Sequence, residues 1–131
     1  MTLVVDASAF ADVIGRSPKA LAVIDVLATD PHWAVPEHLR LEVVSALRGR
    51  LLGGHLSAED FREAVSEVSR AELDVHATGP LLSRIVDLSP NANPYDAAYV
   101  ALAEHLQVPL ITTDAKLARI PGVGCEVRVI S

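Results

Sequence analysis

Residues 3–10 read Leu-Val-Val-Asp-Ala-Ser-Ala-Phe, an apolar run that ends in an acid and passes at once into a second apolar pattern. The run predicts a short buried strand, and Phe10, Val13 and Ile14 at helical spacing predict a helix with Ser8 as its N-cap. A strand that leads directly into a helix is the unit from which parallel sheets are built, because the helix returns the chain to the same edge.

The same alternation continues to the end of the chain. Helices are predicted over residues 20–28, 37–52, 57–71, 78–88 and 95–106, and strands over residues 32–35, 73–76, 108–112 and 126–130. A loop is predicted over residues 89–94, a short turn or helix over 114–117, and a turn over 122–124. This order predicts an α/β fold of three layers, with a central, mostly parallel sheet flanked by helices. No repeat or linker divides the chain, so a single domain over residues 1–131 is expected.

Composition excludes several classes of protein. The formal net charge of −6 argues against a broad basic surface for nucleic acid, because such binding needs many Lys and Arg contacts to phosphates. The single cysteine, Cys125, excludes an intramolecular disulfide framework and a Cys-based zinc site, and is interpreted as a small core residue. The N-terminus lacks a basic leader and reaches Asp6 after five residues, so a soluble, cytoplasmic protein without a membrane segment is expected.

Two acids directly follow predicted strands. Asp6 ends the run at residues 3–5, and Asp114 follows the run at residues 110–113. Ligands of open parallel sheets bind beyond the carboxyl ends of the strands, so both acids are candidate site residues. Either acid alone is equally well explained as the start of the next helix, where a carboxylate favours the positive end of the helix dipole.

Two further acids lie beside apolar helix faces. Glu42 comes three residues after Leu39 and four before Ala46, and therefore borders the apolar stripe of its helix. Asp96 stands in the first turn of its helix, and the positions three, four and seven residues later are apolar. A Glu at the edge of a stripe can still reach water, and the helix dipole accounts for one acid. Four acids on inward or edge positions would nevertheless repel one another unless divalent cations bound between them.

The remaining candidates give weaker signals. The five histidines show no paired metal-ligand spacing and are interpreted as solvated or capping residues: His32, His38, His55, His76 and His105. No glycine-rich phosphate loop follows the first strand, so a dinucleotide-binding fingerprint is absent.

The chain resembles the PIN-domain nucleases, and in particular the VapC toxins of VapBC toxin–antitoxin pairs. The resemblance is carried by residues 4–9, 42–47, 95–103 and 110–114, whose order and spacing cover nearly the whole chain. The segment Tyr-Asp-Ala-Ala-Tyr followed by Thr-Thr-Asp is its most specific part.

The resemblance implies a PIN-like fold and an endoribonuclease that requires Mg²⁺ or Mn²⁺. It assigns metal binding and catalysis to Asp6, Glu42, Asp96 and Asp114. It also implies supporting roles for Ser8 and Thr112, which are otherwise an N-cap and a strand-end hydroxyl. The implied partners are an RNA substrate (tRNA or rRNA), a second copy of the chain in a homodimer, and a VapB-type antitoxin whose extended tail covers the active-site face.

Charge suggests how such a site would work. A divalent cation would reverse the sign of an acidic pocket toward a phosphodiester and lower the pKa of a bound water that attacks phosphorus. Asp6, Asp96 and Asp114 are expected to coordinate the cation directly, and Glu42 to coordinate it or to orient the water. The sequence is compatible with either one or two bound ions. Arg16, Lys116 and Arg119 either contact phosphates at the rim or are solvated surface residues.

Two other functions are considered. A phosphatase or phosphotransfer domain would use Asp6 as nucleophile and needs a second acid two residues later, where Ser8 stands; a receiver-like domain needs a lysine at a strand end, whereas Lys116 follows the strand. A non-catalytic binding module would keep the fold and use its apolar grooves for partners. Loss of one acid would favour that module, but all four acids are present.

Overall fold

The computed structural model describes residues 2–131. The strands are β1 (Thr2–Val5), β2 (His32–Pro36), β3 (Asp74–His76), β4 (Leu110–Thr112) and β5 (Val127–Val129). The α-helices are α1 (Ala7–Ile14), α2 (Ala20–Leu27), α3 (Leu39–Leu52), α4 (Ala58–Arg70), α5 (Leu82–Leu88) and α6 (Pro94–Leu106). Two 3₁₀ helices, Gly79–Leu81 and Ala115–Arg119, precede α5 and follow β4.

The strands form one sheet in the order β3-β2-β1-β4-β5, and each neighbouring pair in the described residues is parallel. The predicted three-layer α/β architecture is confirmed. Helices α1 to α4 pack against one another, α5 packs on α6, and α6 contacts β1, β2 and β4. The chain runs from β1 outward through β2 to β3 and then returns to the other side of β1 with β4. This reversal of strand order opens a cleft at the carboxyl ends of β1 and β4.

The core is centred on β1 and α6. Val4 and Val5 are fully buried, as expected for a central strand covered on both faces. Every residue from 97 to 103 in α6 is buried as well, because this helix lies against three strands and α5. No helix within residues 2–131 is both long and apolar enough to cross a membrane.

The structure corrects three details of the predicted elements. Asp6, not Ser8, is the N-cap of α1: it has an extended backbone and its side chain accepts a hydrogen bond from the amide of Ala9. In α3, Ala46 is exposed, because the helix buries a narrow stripe through Leu39, Val43 and Leu47. The segment predicted as one helix over residues 78–88 consists of the 3₁₀ helix Gly79–Leu81 followed by α5, and the Thr78 side chain before it makes no capping hydrogen bond.

Candidate active site

The four predicted acids lie around one pocket of about 320 Å³ at the carboxyl edge of the sheet. Asp6 and Asp114 follow β1 and β4, the two strands at the reversal of strand order. Glu42 and Asp96 come from the first turns of α3 and α6. Four separate elements therefore contribute one carboxylate each.

Asp6 is held by a dense set of hydrogen bonds. Its Oδ1 accepts from the amide of Ala9 at 2.9 Å, and Ser8 Oγ lies 2.8 and 2.9 Å from its two carboxylate oxygens. Thr112 Oγ1 donates to Asp6 Oδ2 at 2.6 Å and accepts from the amide of Asp114 at 2.9 Å. Ser8 and Thr112, which the sequence suggested as supporting residues, thus fix Asp6 and connect it to the turn that carries Asp114.

Asp6 is only 4% exposed. Burial raises its pKa from 3.8 to about 6; the hydrogen bonds from Thr112, Ala9 and Ser8 lower it in part, and the charge of Asp114 raises it further. Folding therefore makes the Asp6 carboxylate easier to protonate than in the unfolded chain, and a cation beside it would offset the cost of burying its charge.

Glu42 is oriented by two aromatic side chains. The hydroxyl of Tyr99 donates to Glu42 Oε1 at 2.7 Å. His38 Nε2 lies 3.1 Å from the same oxygen without the alignment of a hydrogen bond, and it is the one buried side-chain nitrogen or oxygen of residues 2–131 that lacks a hydrogen-bond partner. Burial raises the pKa of Glu42, but the contacts with His38 and Tyr99 outweigh it and the net shift is downward. Glu42 is therefore ionised at neutral pH.

Asp96 has the opposite environment. Its backbone amide donates to Asn93, the N-cap of α6, whose Nδ2 donates to Asp96 Oδ2 at 3.2 Å. Burial raises the pKa of Asp96, as do the charges of Glu42 and Asp114, and the weaker effects of Lys116 and Asn93 do not cancel this shift. A positive charge inside the pocket would relieve the repulsion.

The donor set suits a hard divalent cation, because carboxylate oxygens are the ligands that such ions prefer. Within residues 2–131, no three His, Cys, Asp or Glu side chains stand close enough to enclose an ion by themselves. Mg²⁺ usually keeps several waters and takes one or two protein carboxylates. The pocket therefore fits a hydrated ion better than a closed cage of protein ligands.

The structure separates the three basic residues that the sequence suggested. Lys116 lies at the rim, with its Nζ 3.9 Å from Asp114 Oδ2 and its side chain 78% exposed. Arg119 is exposed at the end of its 3₁₀ helix. Arg16 is past the far end of α1, about 12 Å along the helix axis from the pocket, and pairs with Glu67 at 3.8 Å. Arg16 is thus not a rim residue of this pocket.

A buried polar network behind the pocket was missed by sequence reasoning. Asp12 accepts hydrogen bonds from Arg50 at 2.9 Å and from the hydroxyl of Thr113 at 2.7 Å, while Arg50 also donates to the carbonyl of Ala11. The amide of Thr113 donates to Ser8 Oγ. The network joins α1 and α3 to the turn after β4. The sequence signal for this network was Asp12, an acid at a helix position that faces the core. Sequence spacing does not identify Arg50 as its partner.

The raised pKa of Asp6 predicts a pH-dependent stability of the metal-free protein. The Asp6 carboxyl loses its proton near pH 4 in the unfolded chain and near pH 6 in the folded protein. The contribution of Asp6 to the free energy of unfolding should therefore fall by on the order of 2–3 kcal/mol as the pH rises from 4 to 6. Asp6→Asn should remove this slope, because the amide does not titrate yet still caps the helix. Urea unfolding in chelator from pH 4 to 8 checks it; parallel profiles for parent and variant would contradict it.

Comparison with known proteins places these residues in a family. The sequence pattern of the PIN domain matches residues 3–123. The chain is 34% identical over 128 residues to Ribonuclease VapC1 of Mycobacterium tuberculosis, an alignment covering 97% of this chain and 96% of that protein.

Its fold is similar to that of VapBC2 from Rickettsia felis bound to a DNA fragment from their promoter, with a TM-score of 0.69, 13% identity and 100% of both chains covered. It is also similar to a chain of a toxin–antitoxin complex from Klebsiella pneumoniae, with a TM-score of 0.65, 20% identity and 98% of each chain covered. The sequence match and the shared fold agree: this chain belongs to the PIN domain family.

Proposed function

We propose that this protein is a Mg²⁺- or Mn²⁺-dependent endoribonuclease that acts as the toxin of a VapBC-type pair in the cytoplasm. The observation that carries the proposal is the convergence of four carboxylates, from four separate elements, on one pocket of a PIN domain. The full-length similarity to a protein named a ribonuclease supports the reaction.

The residues of the pocket divide into those that hold the ion and those that hold the acids. Asp6, Asp96 and Asp114 would coordinate the cation, and Glu42, which is ionised, would coordinate it or orient the attacking water. Ser8 and Thr112 keep the Asp6 carboxylate in place through the hydrogen bonds described above, as outer partners of metal ligands do. When bound, the ion would neutralise the phosphodiester and lower the pKa of water.

Tyr99 is a positioning residue for Glu42. It is 2% exposed, and its hydroxyl donates its hydrogen bond to the Glu42 carboxylate. Burial raises the pKa of Tyr99 far above its usual value, and the bond to Glu42 adds to this effect. Tyr99 therefore remains a hydrogen-bond donor at every physiological pH and does not act as a base.

RNA binding by the isolated protein should be weak. The net charge of −6 gives little general attraction for phosphates, so a bound ion and Lys116 at the rim of the pocket would supply the local positive charge. Arg119 extends the same 3₁₀ helix toward solvent and is a second candidate for phosphate contact.

A VapB-type antitoxin is the proposed partner, because solved structures with this fold include VapBC and toxin–antitoxin complexes. A basic side chain of the antitoxin, placed among the four acids, would compete with the cation for the pocket. The homodimer implied by the resemblance stays a prediction that light scattering can check.

A phosphatase that uses Asp6 as nucleophile is not favoured. It would need a second acid two residues after Asp6, and the residue there is Ser8, whose hydroxyl donates to the Asp6 carboxylate. A non-catalytic binding module would not need four carboxylates in one pocket, two of which have raised pKa values.

The proposal is tested by incubating the purified protein with tRNA and rRNA in Mg²⁺, in Mn²⁺ and in chelator. Cleavage at defined internal sites is expected with either metal and not in chelator, because the acids repel a phosphodiester that no cation accompanies. Addition of the cognate antitoxin should suppress it. Cleavage that persists in chelator, or the absence of cleavage with every metal, would reject the proposal.

A further inference from the structure

Tyr95 is the one Phe, Trp or Tyr side chain of residues 2–131 that is largely exposed. Its exposed fraction is 58%, whereas Phe10 and Tyr99 are buried, and Trp33 and Phe61 are packed against the core. In a chain with only five Phe, Trp and Tyr residues, the single exposed ring stands beside the carboxylate pocket.

The position of this ring is fixed by its neighbours. Tyr95 lies between Pro94, which starts α6, and the pocket residue Asp96. Its ring contacts that of His38 in a T-shaped arrangement, with centroids 5.5 Å apart and planes at 67°. His38 in turn reaches Glu42. Whichever ring presents its edge, His38 leaves at least one broad face of the tyrosine uncovered.

A separate cleft of about 190 Å³ adjoins the ring. Its walls combine apolar groups from Leu82, Ile85 and Tyr95 with polar groups from Glu37, His38 and Thr78. A nucleobase has the matching chemistry, because its faces are apolar and its edges carry hydrogen-bonding groups. The cleft lies beside the carboxylate pocket: Tyr95 of the cleft precedes Asp96 of the pocket in sequence, and His38 of the cleft contacts Glu42 of the pocket.

We propose that Tyr95 and this cleft form a nucleobase subsite, in which a base of the RNA next to the cleaved phosphodiester stacks on the tyrosine ring. This inference rests on the proposed ribonuclease function. It answers a difficulty of that function: a protein of net charge −6 gains little affinity from phosphate contacts, whereas stacking on an aromatic face needs no positive charge.

The test combines substitutions of Tyr95 with removal of single bases from the RNA, as in a double-mutant cycle. Tyr95→Leu removes the aromatic face and Tyr95→Phe keeps it as the matched control; both are compared with the parent on a short RNA whose cleavage site has been mapped. The same RNA is also made with an abasic residue on either side of the cleaved bond. For intact RNA, Tyr95→Leu should raise KM about tenfold with a smaller change in kcat, and Tyr95→Phe should stay within about twofold of the parent.

One abasic RNA should bind the parent and Tyr95→Leu equally, because the stacking partner is gone. An unchanged KM for Tyr95→Leu, an equal loss on intact and both abasic RNAs, or a loss by Tyr95→Phe as large as by Tyr95→Leu would overturn the subsite. A change of molar mass of Tyr95→Leu in light scattering would instead assign the ring to an interface between copies, and also overturn it. Failure of the parent protein to cleave any RNA in the presence of metal would reject the ribonuclease function. That outcome is distinguishable from failure of the subsite, in which the parent still cleaves RNA.

Discussion

Asp96→Asn should lower the rate of RNA cleavage by at least about 100-fold, because even outer partners of metal ligands contribute 10–100-fold and Asp96 is proposed as a direct ligand. The substitution keeps the size of the side chain and removes its charge. The hydrogen bond that caps α6, from the Asp96 amide to the side-chain oxygen of Asn93, does not involve the Asp96 carboxylate and should persist.

The same variant should be at least as stable as the parent without metal. Burial, Glu42 and Asp114 all disfavour the charged form of Asp96 in the folded protein, so neutralising it relieves repulsion. Added Mg²⁺ or Mn²⁺ should raise the melting temperature of the parent by mass action and that of Asp96→Asn less. An acid that merely favoured the helix dipole would behave oppositely: its loss would destabilise the protein by a few tenths to about 1 kcal/mol, regardless of metal.

Asp25→Asn is the matched control, because Asp25 is an exposed acid on α2 that does not line the pocket. It should leave cleavage, stability and the response to metal unchanged. Paired melting curves with metal and with chelator, together with one cleavage assay, decide the question. If Asp96→Asn is destabilised equally in both conditions and still cuts RNA, Asp96 is not part of the site.

Asp12→Ala should lower the free energy of unfolding by about 2–3 kcal/mol, the low end for breaking a buried ion pair, because Arg50 keeps partial contact with water. The Asp12 and Arg50 side chains are 12% and 28% exposed. The variant leaves the guanidinium and the Thr113 hydroxyl without their shared acceptor. Urea unfolding at neutral pH measures the change.

A double-mutant cycle shows whether the loss comes from this pair. Arg50→Ala alone should also destabilise, and Asp12→Ala with Arg50→Ala should lose less than the sum of the two single changes, because the second removal leaves no unpaired charge. Strictly additive losses would mean that Asp12 and Arg50 act independently. Since Thr113 belongs to the turn that carries Asp114, both single variants should also weaken Mn²⁺ binding measured by calorimetry.

The sequence was sufficient to predict the architecture and to single out four acids that line one pocket. Apolar runs such as residues 3–5 and 110–112 can be buried only in a sheet covered on both sides, so the alternation of strands and helices predicts a parallel sheet with helices around it. Asp6 and Asp114 were candidates because each follows a predicted strand of a parallel sheet, at the edge where ligands bind, although either acid alone could have marked a helix start. The predicted boundaries differ from the observed ones by a few residues, because the ends of helices depend on individual hydrogen bonds. The N-cap of α1, for example, is Asp6 and not the predicted Ser8.

Only the tertiary structure decided how distant side chains meet. Tyr99 and Glu42 are 57 positions apart, and Asp12 and Arg50 are 38 apart, yet each pair shares a hydrogen bond. Sequence spacing places Tyr99 on the apolar face of its helix, and it does not identify Arg50 as the partner of Asp12. The strand order was also decided by the tertiary structure. It places β4 next to β1 and so brings Asp114 close to Asp6. Which strands become neighbours depends on how the apolar faces of all the elements are buried together, and no local segment specifies it.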